Sequence, residues 1–337
     1  MSHLPSDRPP TEGPRPLIFS EFEELEQFLG TIFPTSSAGR YGLDYPTMIH
    51  PGNRAWLWVC TDEEHIVAHA GMQVVQLACG PMDLVLGNIG AVATADQYRG
   101  LGLSSSILTA LRREAVRAGI DLLLLWSEKF DFYHRLGYHP AGTELLYQIR
   151  PPVYAQKPIG WRSPEPIDRE PLLELYHRHD LGVRRDLSRM NLLLNIPETT
   201  VRCCGPLGAP IAYIVADKGA DLLDHIHEWG GDPEAIASCT TYLAFAQQRM
   251  LTLHAPSSST AALPCFESRF GPPVAHPLAL VHLVDPVGLC ARILHTMGTL
   301  LDPSQPIPAL LEILFGPPGQ YQPTAPLALY IWGLDSA

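Results

Sequence analysis

The segment of the chain best suited to chemistry is a glycine-containing turn at residues 97–104, which reads Gln-Tyr-Arg-Gly-Leu-Gly-Leu-Ser. It lies between a predicted strand and a predicted helix. Gly100 and Gly102 let a ligand approach the backbone closely, and the first amides of the following helix lack partners within that helix. Those amides lie at the positive end of the helix dipole, where an anion is stabilised. Arg99 is the basic residue best placed for a phosphate, so the turn predicts phosphate binding.

A dinucleotide-binding turn is the alternative interpretation of this glycine pattern. That fingerprint places its first glycine directly after a parallel strand and a third glycine or alanine three residues beyond the second. Here Ser105 occupies the third position, and the polar residues 94–99 separate the strand from Gly100. The strand also follows an antiparallel meander instead of opening a βαβ unit. The sequence therefore disfavours a nicotinamide-dependent dehydrogenase.

Hydrophobic periodicity predicts the elements that position the turn. A helix over residues 20–29, with Ser20 as its N-cap, precedes three strands at 55–60, 66–77 and 84–94. After the turn we expect a helix at 104–118, a strand at 122–126, a short helix near 131–136 and a strand at 145–149. The exposed face of the 104–118 helix carries three arginines, Arg112, Arg113 and Arg117.

A similar order of elements begins again after Pro151 and Pro152. Residues 168–194 have helical periodicity, and an amphipathic helix capped by Asp232 is predicted over 232–249. The predicted strands of this half lie at 201–204, 211–216, 222–229, 251–254 and 279–284. The repetition predicts a second copy of the same fold. Residues 286–337 add two apolar helical stretches and a strand-like segment at 327–332.

Composition and charge limit the class of protein. Of the 337 residues, 46% are hydrophobic and 17% are charged, which is typical of a globular chain long enough for two domains. The net charge of −12 argues against a nucleic-acid partner, because such binding needs clustered cations. Seven scattered cysteines without a CxxC pair indicate reduced thiols. Without an apolar signal segment or membrane span, we expect a soluble cytoplasmic protein with a disordered tail at residues 1–16 and no membrane contact.

Two motifs connect these elements to a known family. The turn matches the acetyl-CoA motif Gln/Arg-x-x-Gly-x-Gly/Ala at Gln97, Gly100 and Gly102. An aromatic-Tyr pair followed shortly by Gly-aromatic occurs at residues 132–138, which read Phe-Tyr-His-Arg-Leu-Gly-Tyr. With both motifs in order, and a helix and a strand between them, the sequence resembles the acetyltransferases related to the general control non-repressible protein, the GNAT superfamily.

More narrowly, the sequence is similar to the enhanced intracellular survival (Eis-like) group, which joins two GNAT folds and adds a sterol-carrier-like domain. Ser127-Glu128 and the spacing from Tyr133 to Gly137 match that group, with one extra residue before the tyrosine. The resemblance implies an α/β (α+β) fold of tandem acyl-CoA N-acyltransferase units, with mixed, mostly antiparallel sheets flanked by helices. It implies a catalytic domain at 17–150, a degenerate second domain at 153–285 and a C-terminal extension at 286–337 that is shorter than the family's last domain.

The resemblance also implies how acetyl-CoA is held as a co-substrate. The pantetheine arm is expected along the end of one strand, the pyrophosphate in the turn, and the cofactor between two strands that splay apart. The residues implied are Val92, Ala93 and Thr94 for the arm, Arg99, Gly100, Leu101, Gly102, Leu103, Ser104 and Ser105 for the pyrophosphate, and Ser127 and Glu128 beside the cofactor. Tyr133 is expected to protonate the departing thiolate of CoA.

The attacking amine must also lose a proton, so a general base is expected. In the resembling group the terminal carboxylate of the chain serves near the site, and here that is the carboxylate of Ala337. The apolar residues 327–332 are expected to carry this end inward, although the tail lacks the family's aromatic anchor. Glu128 is a second candidate, and its alternative role is a solvated acid at the end of a strand.

The second half offers weaker signals. Residues 230–232 occupy the place of the phosphate turn, yet Glu228, Asp232 and Glu234 surround it with negative charge that would repel pyrophosphate. We therefore expect the second copy to bind no acetyl-CoA and to shape the substrate cleft or an oligomer contact. His225 and His227 share one strand face as zinc ligands would, but no third ligand lies nearby, so no metal is predicted.

Together these features predict an N-acetyltransferase that moves an acetyl group from acetyl-CoA to a primary amine by direct attack in a ternary complex. The acidic balance of the chain favours a small cationic molecule or a peptide as acceptor. The alternative is a non-catalytic acyl-CoA-binding sensor or scaffold, which would bind the cofactor without releasing CoA. A homo-oligomer stays open in either case.

Overall fold

Two mixed β-sheets form the framework of the protein, in a computed structural model that describes residues 11–35, 39–320 and 325–336. The strands in chain order are β1 (Glu12–Pro16), β2 (Leu57–Asp62), β3 (His65–Cys79), β4 (Asp83–Thr94), β5 (Leu122–Leu125), β6 (His139–Ala141), β7 (Glu144–Ile149), β8 (Leu181–Val183), β9 (Thr200–Cys204), β10 (Ala212–Ala216), β11 (His225–Gly231), β12 (Leu251–Pro256), β13 (Val274–His276) and β14 (Ala279–Leu283). The helices are α1 (Phe22–Ile32), α2 (Tyr41–Asp44), α3 (Leu103–Arg117), α4 (Phe130–His134), α5 (Arg169–His177), α6 (Leu187–Leu193), α7 (Pro233–Gln247), α8 (Leu263–Phe270), α9 (Pro286–Met297) and α10 (Ile307–Phe315).

The first sheet carries the glycine turn. Within the described residues it has eight strands in the order β1, β2, β3, β4, β5, β14, β6, with β8 paired to the far end of β3. All neighbours are antiparallel except β4 and β5, which run parallel. The helix α3 covers one face of the sheet, where Met72 and Leu123 form a cluster with Ile107. The helix α1 covers the opposite face, where Leu25 packs with Leu57. We call this sheet with α1–α4 the first unit.

The second sheet has the same plan. In the part of the chain that the structure describes it has six strands in the order β13, β7, β12, β11, β10, β9, and only β11 and β12 are parallel. Ile236 of α7 and Phe266 of α8 pack on it with Tyr147 of β7. We call this sheet with α5–α8 the second unit. Because each sheet has one parallel junction at an equivalent place, the two units are copies of one fold.

The strands β7 and β14 are exchanged between the two halves of the chain. Tyr147 of β7 is opposite Leu253 of β12 in the second sheet, whereas Val281 of β14 is opposite Leu124 of β5 in the first. The expectation that residues 145–149 complete the first fold is therefore wrong, and the boundaries at 17–150 and 153–285 do not coincide with the sheets. Alternation of side chains identifies a strand, but it does not specify the edge with which the strand pairs.

The start of the chain also differs from expectation. Residues 12–16, predicted within the disordered tail, form β1 and pair with β2, with Arg15 opposite Val59. The Arg15 guanidinium donates to Glu21 at 2.9 Å, which fixes the strand to the start of α1. Proline disfavours helix but is tolerated in an edge strand, so the proline-rich composition did not exclude this outcome. Residues 1–10 of the predicted tail lie outside the described residues.

Three further elements depart from the sequence prediction. Ser20 lies in a 3-10 turn before α1 and does not cap that helix, which begins at Phe22. The helical pattern over 168–194 is divided into α5 and α6 by the short strand β8. Residues 327–332 are extended and buried but join neither sheet. Their backbone instead bonds to α10 and β3, since Leu327 N donates to Leu314 O at 3.1 Å.

Candidate functional site

The glycine turn leads directly into α3 and leaves open space in front of it. Gly100 and Gly102 have φ angles of 79° and 78°, in the left-handed region that favours glycine. A Cβ atom added at either position would meet no heavy atom within 4 Å. Gly102 is also the N-cap of α3, so no side chain occupies the amides of the first helical turn. The N-terminus of this long helix is therefore free to receive an anion.

Positive charge lies beside the turn. The Arg99 guanidinium contacts the Asp96 carboxylate at 2.8 Å, and the two side chains are 65% and 85% exposed. An ion pair so exposed contributes about 0–1 kcal/mol, so Arg99 exchanges easily to a phosphate. Arg113 and Arg117 are exposed along α3, and Arg117 pairs with Glu114 on the same helix.

The strands β4 and β5 separate next to this turn. Their parallel register ends where Asn88 is opposite Leu124, while β4 continues to Thr94. Val92, Ala93 and Thr94 therefore lie beyond the last residue paired with β5. Hydroxyl groups of Thr94 and Ser104 are 2.6 Å apart, which ties the end of β4 to the start of α3. The result is a wedge between β4 and β5, called here the first cleft.

A β-bulge shapes the strand that borders the first cleft. The register of β3 and β4 shifts between His69 and Gly71, and Ala91 of β4 has a φ of 50°. The buried His69 ring donates from Nδ1 to Ala91 O at 2.8 Å, because a carbonyl oxygen only accepts. Burial lowers the pKa of His69 to about 4, despite this hydrogen bond to the backbone. The neutral imidazole thus holds the bulge, a role that a single histidine in an apolar strand does not signal in the sequence.

Tyr133 lies in α4 near the end of β5. Its side chain is only 6% exposed, and its ring packs edge-on against Tyr138 at a centroid distance of 5.9 Å. Burial raises the pKa of Tyr133 to about 12, although a hydrogen bond with Ser127 lowers it. Tyr133 is therefore protonated at neutral pH and is able to donate a proton.

Ser127 and Glu128, which come after Trp126 at the end of β5, have different environments. Ser127 is half-buried beside Tyr133, and its hydroxyl oxygen accepts from Lys129 N at 3.1 Å. Glu128 is exposed. The structure thus brings the Ser127 hydroxyl to Tyr133 and leaves the Glu128 carboxylate in solvent.

The exchanged strand β14 supports the tyrosine loop from behind. His282 of β14 donates from Nδ1 to Gly137 O at 2.9 Å, and its ring lies 5.5 Å from that of Tyr138. Gly137 has a φ of 82°, and a Cβ there would meet His282 Nδ1 at 3.1 Å. The glycine in the second motif therefore allows the loop to pack against a residue from the other half of the chain.

The end of the chain returns to the first cleft. Ala337 lies outside the described residues, but residues 333–336 form a turn, called here the C-terminal turn, which follows the buried Trp332. Asn88 donates from Nδ2 to Asp335 O at 3.0 Å. Because Asn88 is the last residue of β4 in register with β5, the C-terminal turn lies where the two strands separate.

Metal binding and membrane insertion find no support in the described residues. Within them, no three His, Cys, Asp or Glu side chains are arranged to hold a metal ion. His225, considered as a zinc ligand, instead lies with Nδ1 2.5 Å from His254 Nε2. No helix among the described residues is long and apolar enough to cross a membrane.

Comparisons with known proteins agree with this geometry. Residues 17–141 match the family described as the acetyltransferase (GNAT) domain. A conserved protein of unknown function from Enterococcus faecalis V583, a probable N-acyltransferase, has a TM-score of 0.60 at 15% identity over 81% of this chain and 73% of that one. Eis1 from Mycobacterium abscessus has a TM-score of 0.56 at 13% identity, covering 84% and 75% of the two chains.

A third solved structure carries a bound acyl-CoA. Saccharomyces cerevisiae N-myristoyltransferase with bound myristoyl-CoA has a TM-score of 0.53 at 12% identity, covering 82% of this chain and 86% of that one. No curated protein matches the sequence.

Residues 17–141 thus match the acetyltransferase (GNAT) domain in sequence, as the motifs around Gly100 and Tyr133 predict. The described residues have the fold of two sheets flanked by helices that the resemblance to the Eis-like group implies, so the predicted fold class is confirmed.

Proposed function

We propose that the protein is an acetyl-CoA-dependent N-acetyltransferase and that its reaction takes place in the first cleft. The observation that carries the proposal is the opening between β4 and β5, with an uncapped helix N-terminus at one end and a buried, protonated tyrosine at the other. An acyl-CoA has a phosphate group and a thioester at the corresponding ends of its extended arm. The bound myristoyl-CoA of the yeast enzyme with the same fold supports an acyl-CoA as ligand.

The cofactor would lie along β4 as an added strand. The backbone of Val92, Ala93 and Thr94 lies beyond the register with β5, so its polar groups are in place to pair with the amides of pantetheine. The pyrophosphate would bind the amides of residues 100–105, with Arg99 released from its exposed pair to contact it. Ser127 and Glu128 would flank the cofactor at the end of β5.

The reaction needs no nucleophile from the protein. A neutral amine attacks the thioester carbonyl, a C–N bond forms, and the C–S bond breaks to release CoA thiolate. Tyr133 would donate its phenolic proton to that sulfur, and Ser127 would hold the hydroxyl in place. The described cysteines are free thiols, and this mechanism leaves them without a chemical step.

The proton lost by the amine would pass to the terminal carboxylate of Ala337. Support for this role comes from the C-terminal turn, since Asp335 O accepts from Asn88 at the point where β4 and β5 separate. Glu128 is the second candidate, and its exposure makes it the weaker one, because a solvated carboxylate is not held toward one reacting nitrogen. The chain's net charge of −12 favours a cationic amine as acceptor, either a small molecule or a peptide.

A thiol-release assay with a panel of cationic amines tests the proposal. We expect amine-dependent release of CoA, and we expect Tyr133→Phe to lower kcat by about 10²–10⁴-fold, because it removes the general acid. Tyr138→Phe is the matched control, because the Tyr138 hydroxyl is buried and has no hydrogen-bond partner among the described residues. Tight acetyl-CoA binding without release by any amine would instead support the sensor or scaffold. A Tyr133→Phe variant with the wild-type rate across the pH range would disprove the role of this tyrosine.

A further inference from the structure

The second unit contributes a buried polar socket that holds the C-terminal turn. Lys218, which follows β10, is 1% exposed and inserts its amino group into the turn. Its Nζ donates to the carbonyl oxygens of Gly333 at 3.0 Å, Leu334 at 3.2 Å and Ser336 at 2.7 Å. Burial lowers the pKa of Lys218 to about 7, and these carbonyls take the place of water around its amino group.

Asp335 is bound in the same socket by two arginines. Arg185 donates from Nε to one carboxylate oxygen at 2.7 Å, and Arg189 donates from Nη2 to the other at 2.7 Å. Arg185 also forms a two-bonded pair with Glu228 at 2.8 and 2.6 Å, and Tyr213 donates to that carboxylate at 3.0 Å. The side chains of Arg185, Glu228 and Asp335 are fully buried.

The charges of Arg185, Arg189 and Asp335 favour one arrangement of the C-terminal turn. Burial alone raises the pKa of Asp335, but the charges of Arg185 and Arg189 hold that pKa below its ordinary value. A carboxylate ionised in this way cannot leave the socket without removing one carboxylate partner from the buried Arg185 and one from Arg189. The C-terminal turn is therefore fixed by buried charge on two sides of Asp335.

The socket also contacts the first unit, through Asn88. Asn88 of β4 donates to the carbonyl of Asp335, the same residue whose side chain the arginines bind. Asn88 is 1% exposed and marks the point where β4 and β5 separate. One turn of backbone thus connects the second unit's cations with the strand that borders the first cleft.

We propose that Lys218 and Asp335 are positioning residues, which fix the C-terminal turn against Asn88 and so aim the end of the chain at the acyl group in the first cleft. This inference rests on the proposed function, in which the terminal carboxylate takes the proton from the amine. It also assigns a role to the second unit, which holds the general base for the reaction in the first cleft.

Lys218→Met tests the inference, because methionine keeps an unbranched side chain and removes the amino group. We expect kcat to fall by roughly 10²-fold through misplacement of the base, with the KM and Kd for acetyl-CoA unchanged within about twofold. Hydrogen exchange of the C-terminal peptide should become much faster in the variant. Asn88→Ala is the second variant, since it releases the turn from β4 and leaves every charge of the socket in place. It should lower kcat in the same way even if Lys218→Met does not fold.

Arg184→Gln is the matched control. Arg184 is adjacent to Arg185 and also pairs with a carboxylate of the first unit, Asp83 at 2.7 Å, but it is half-exposed and does not touch the turn. It should leave kcat unchanged.

The outcomes separate the two claims. A wild-type protein that releases no CoA with any amine overturns the proposed function, and the positioning role with it. An active wild type whose Lys218→Met and Asn88→Ala variants retain kcat overturns the positioning role alone. Equal losses of kcat and of acetyl-CoA affinity would also overturn it, because they indicate general damage to the fold.

Discussion

The two units place a glycine before an equivalent long helix, but they use that glycine for opposite purposes. A Cβ at Gly102 would meet open space, whereas a Cβ at Gly231 would lie 2.2 Å from Ile211 O. In the first unit the turn faces open space, and in the second the glycine packs against the backbone at the start of β10. Glycine in the second turn therefore serves close packing of the backbone.

The helix that follows each turn shows the same contrast. The N-cap of α3 is Gly102, which has no side chain, whereas the N-cap of α7 is Asp232, whose carboxylate accepts from Ala235 N at 2.9 Å. Pro233 follows and removes one further amide. The amides at the start of α7 are thus bound by the protein's own carboxylate, and the absence of acetyl-CoA from the second unit stays a prediction.

The clefts between the parallel strands differ as well. In the second sheet the register of β11 and β12 ends at Ile226 and Leu253, so these strands also separate. Trp229 fills that wedge, and its indole donates to His254 O at 2.8 Å. Trp332 packs edge-on against it at 5.2 Å. The second copy of the fold thus keeps its separated strands although an aromatic side chain fills the space between them.

Replacing Trp229, which fills the wedge between β11 and β12, should have the largest effect on stability. Trp229→Ala should lower the free energy of unfolding by about 3–5 kcal/mol, because it opens a large cavity in the core. Denaturant unfolding measures this change, and Trp126→Ala, a more exposed tryptophan, is the control for stability. Calorimetric titration should still find one acetyl-CoA per chain. A second bound acetyl-CoA would contradict the blocking role given to Asp232.

Acid should destabilise the protein through the histidine beneath the bulge. The pKa of His69 is lowered by burial from 6.5 to about 4, so below pH 6.5 the unfolded chain takes up a proton that the native chain does not. Stability is therefore lost as the pH falls from 6.5 towards 4, by about 3 kcal/mol for this fully buried group. Unfolding curves across that range should show a shallower pH dependence for His69→Gln. Equal slopes for the two proteins would refute the assignment.

Making the first turn resemble the second should weaken cofactor binding. Gly102→Asp places a carboxylate at the start of α3, so the Kd for acetyl-CoA should rise about tenfold or more through charge repulsion. Gly102→Asn is the matched control, since it has the same shape without the charge and tolerates the left-handed conformation. If both variants bind equally well, charge at this position does not decide which unit holds the cofactor.

Removing the carboxylate cap of α7 should have the smallest effect on stability. Asp232→Ala removes the cap of α7 and should cost about 1 kcal/mol of stability, as measured by chemical denaturation. It should not create an acetyl-CoA site, because Trp229 still fills the wedge between β11 and β12. A gain of binding would show that the cap alone excludes the cofactor.

Local features of the sequence predicted much of the first unit. The strands β2, β3 and β4 and the helix α3 follow from alternation and helical periodicity, and the glycine turn follows from its motif. These are short-range signals, and each is complete within about twenty residues. The N-cap Asp232 was found by the same kind of reasoning, and its hydrogen bond to Ala235 confirms it.

Pairing between residues far apart in the chain could not be predicted from such local patterns. The alternation of residues 145–149 and 279–284 fits a strand in either sheet. The local sequence therefore does not predict that these two strands are exchanged. Lys218 and Arg185 resemble ordinary surface cations in the sequence, because their partners lie far along the chain at residues 333–336 and at Glu228. Trp229 looked like one more apolar strand residue, and only the splay of β11 from β12 shows what it fills.

The exchange of β7 and β14 has a consequence for synthesis of the protein on the ribosome. The strand β5 has a free edge until residues 279–283 have left the exit tunnel, so the first sheet cannot be completed before most of the chain has been made. During that interval the exposed edge of β5 is a site for wrong pairing with other nascent chains. Expression of residues 17–150 alone would make this state permanent, and this fragment should therefore aggregate.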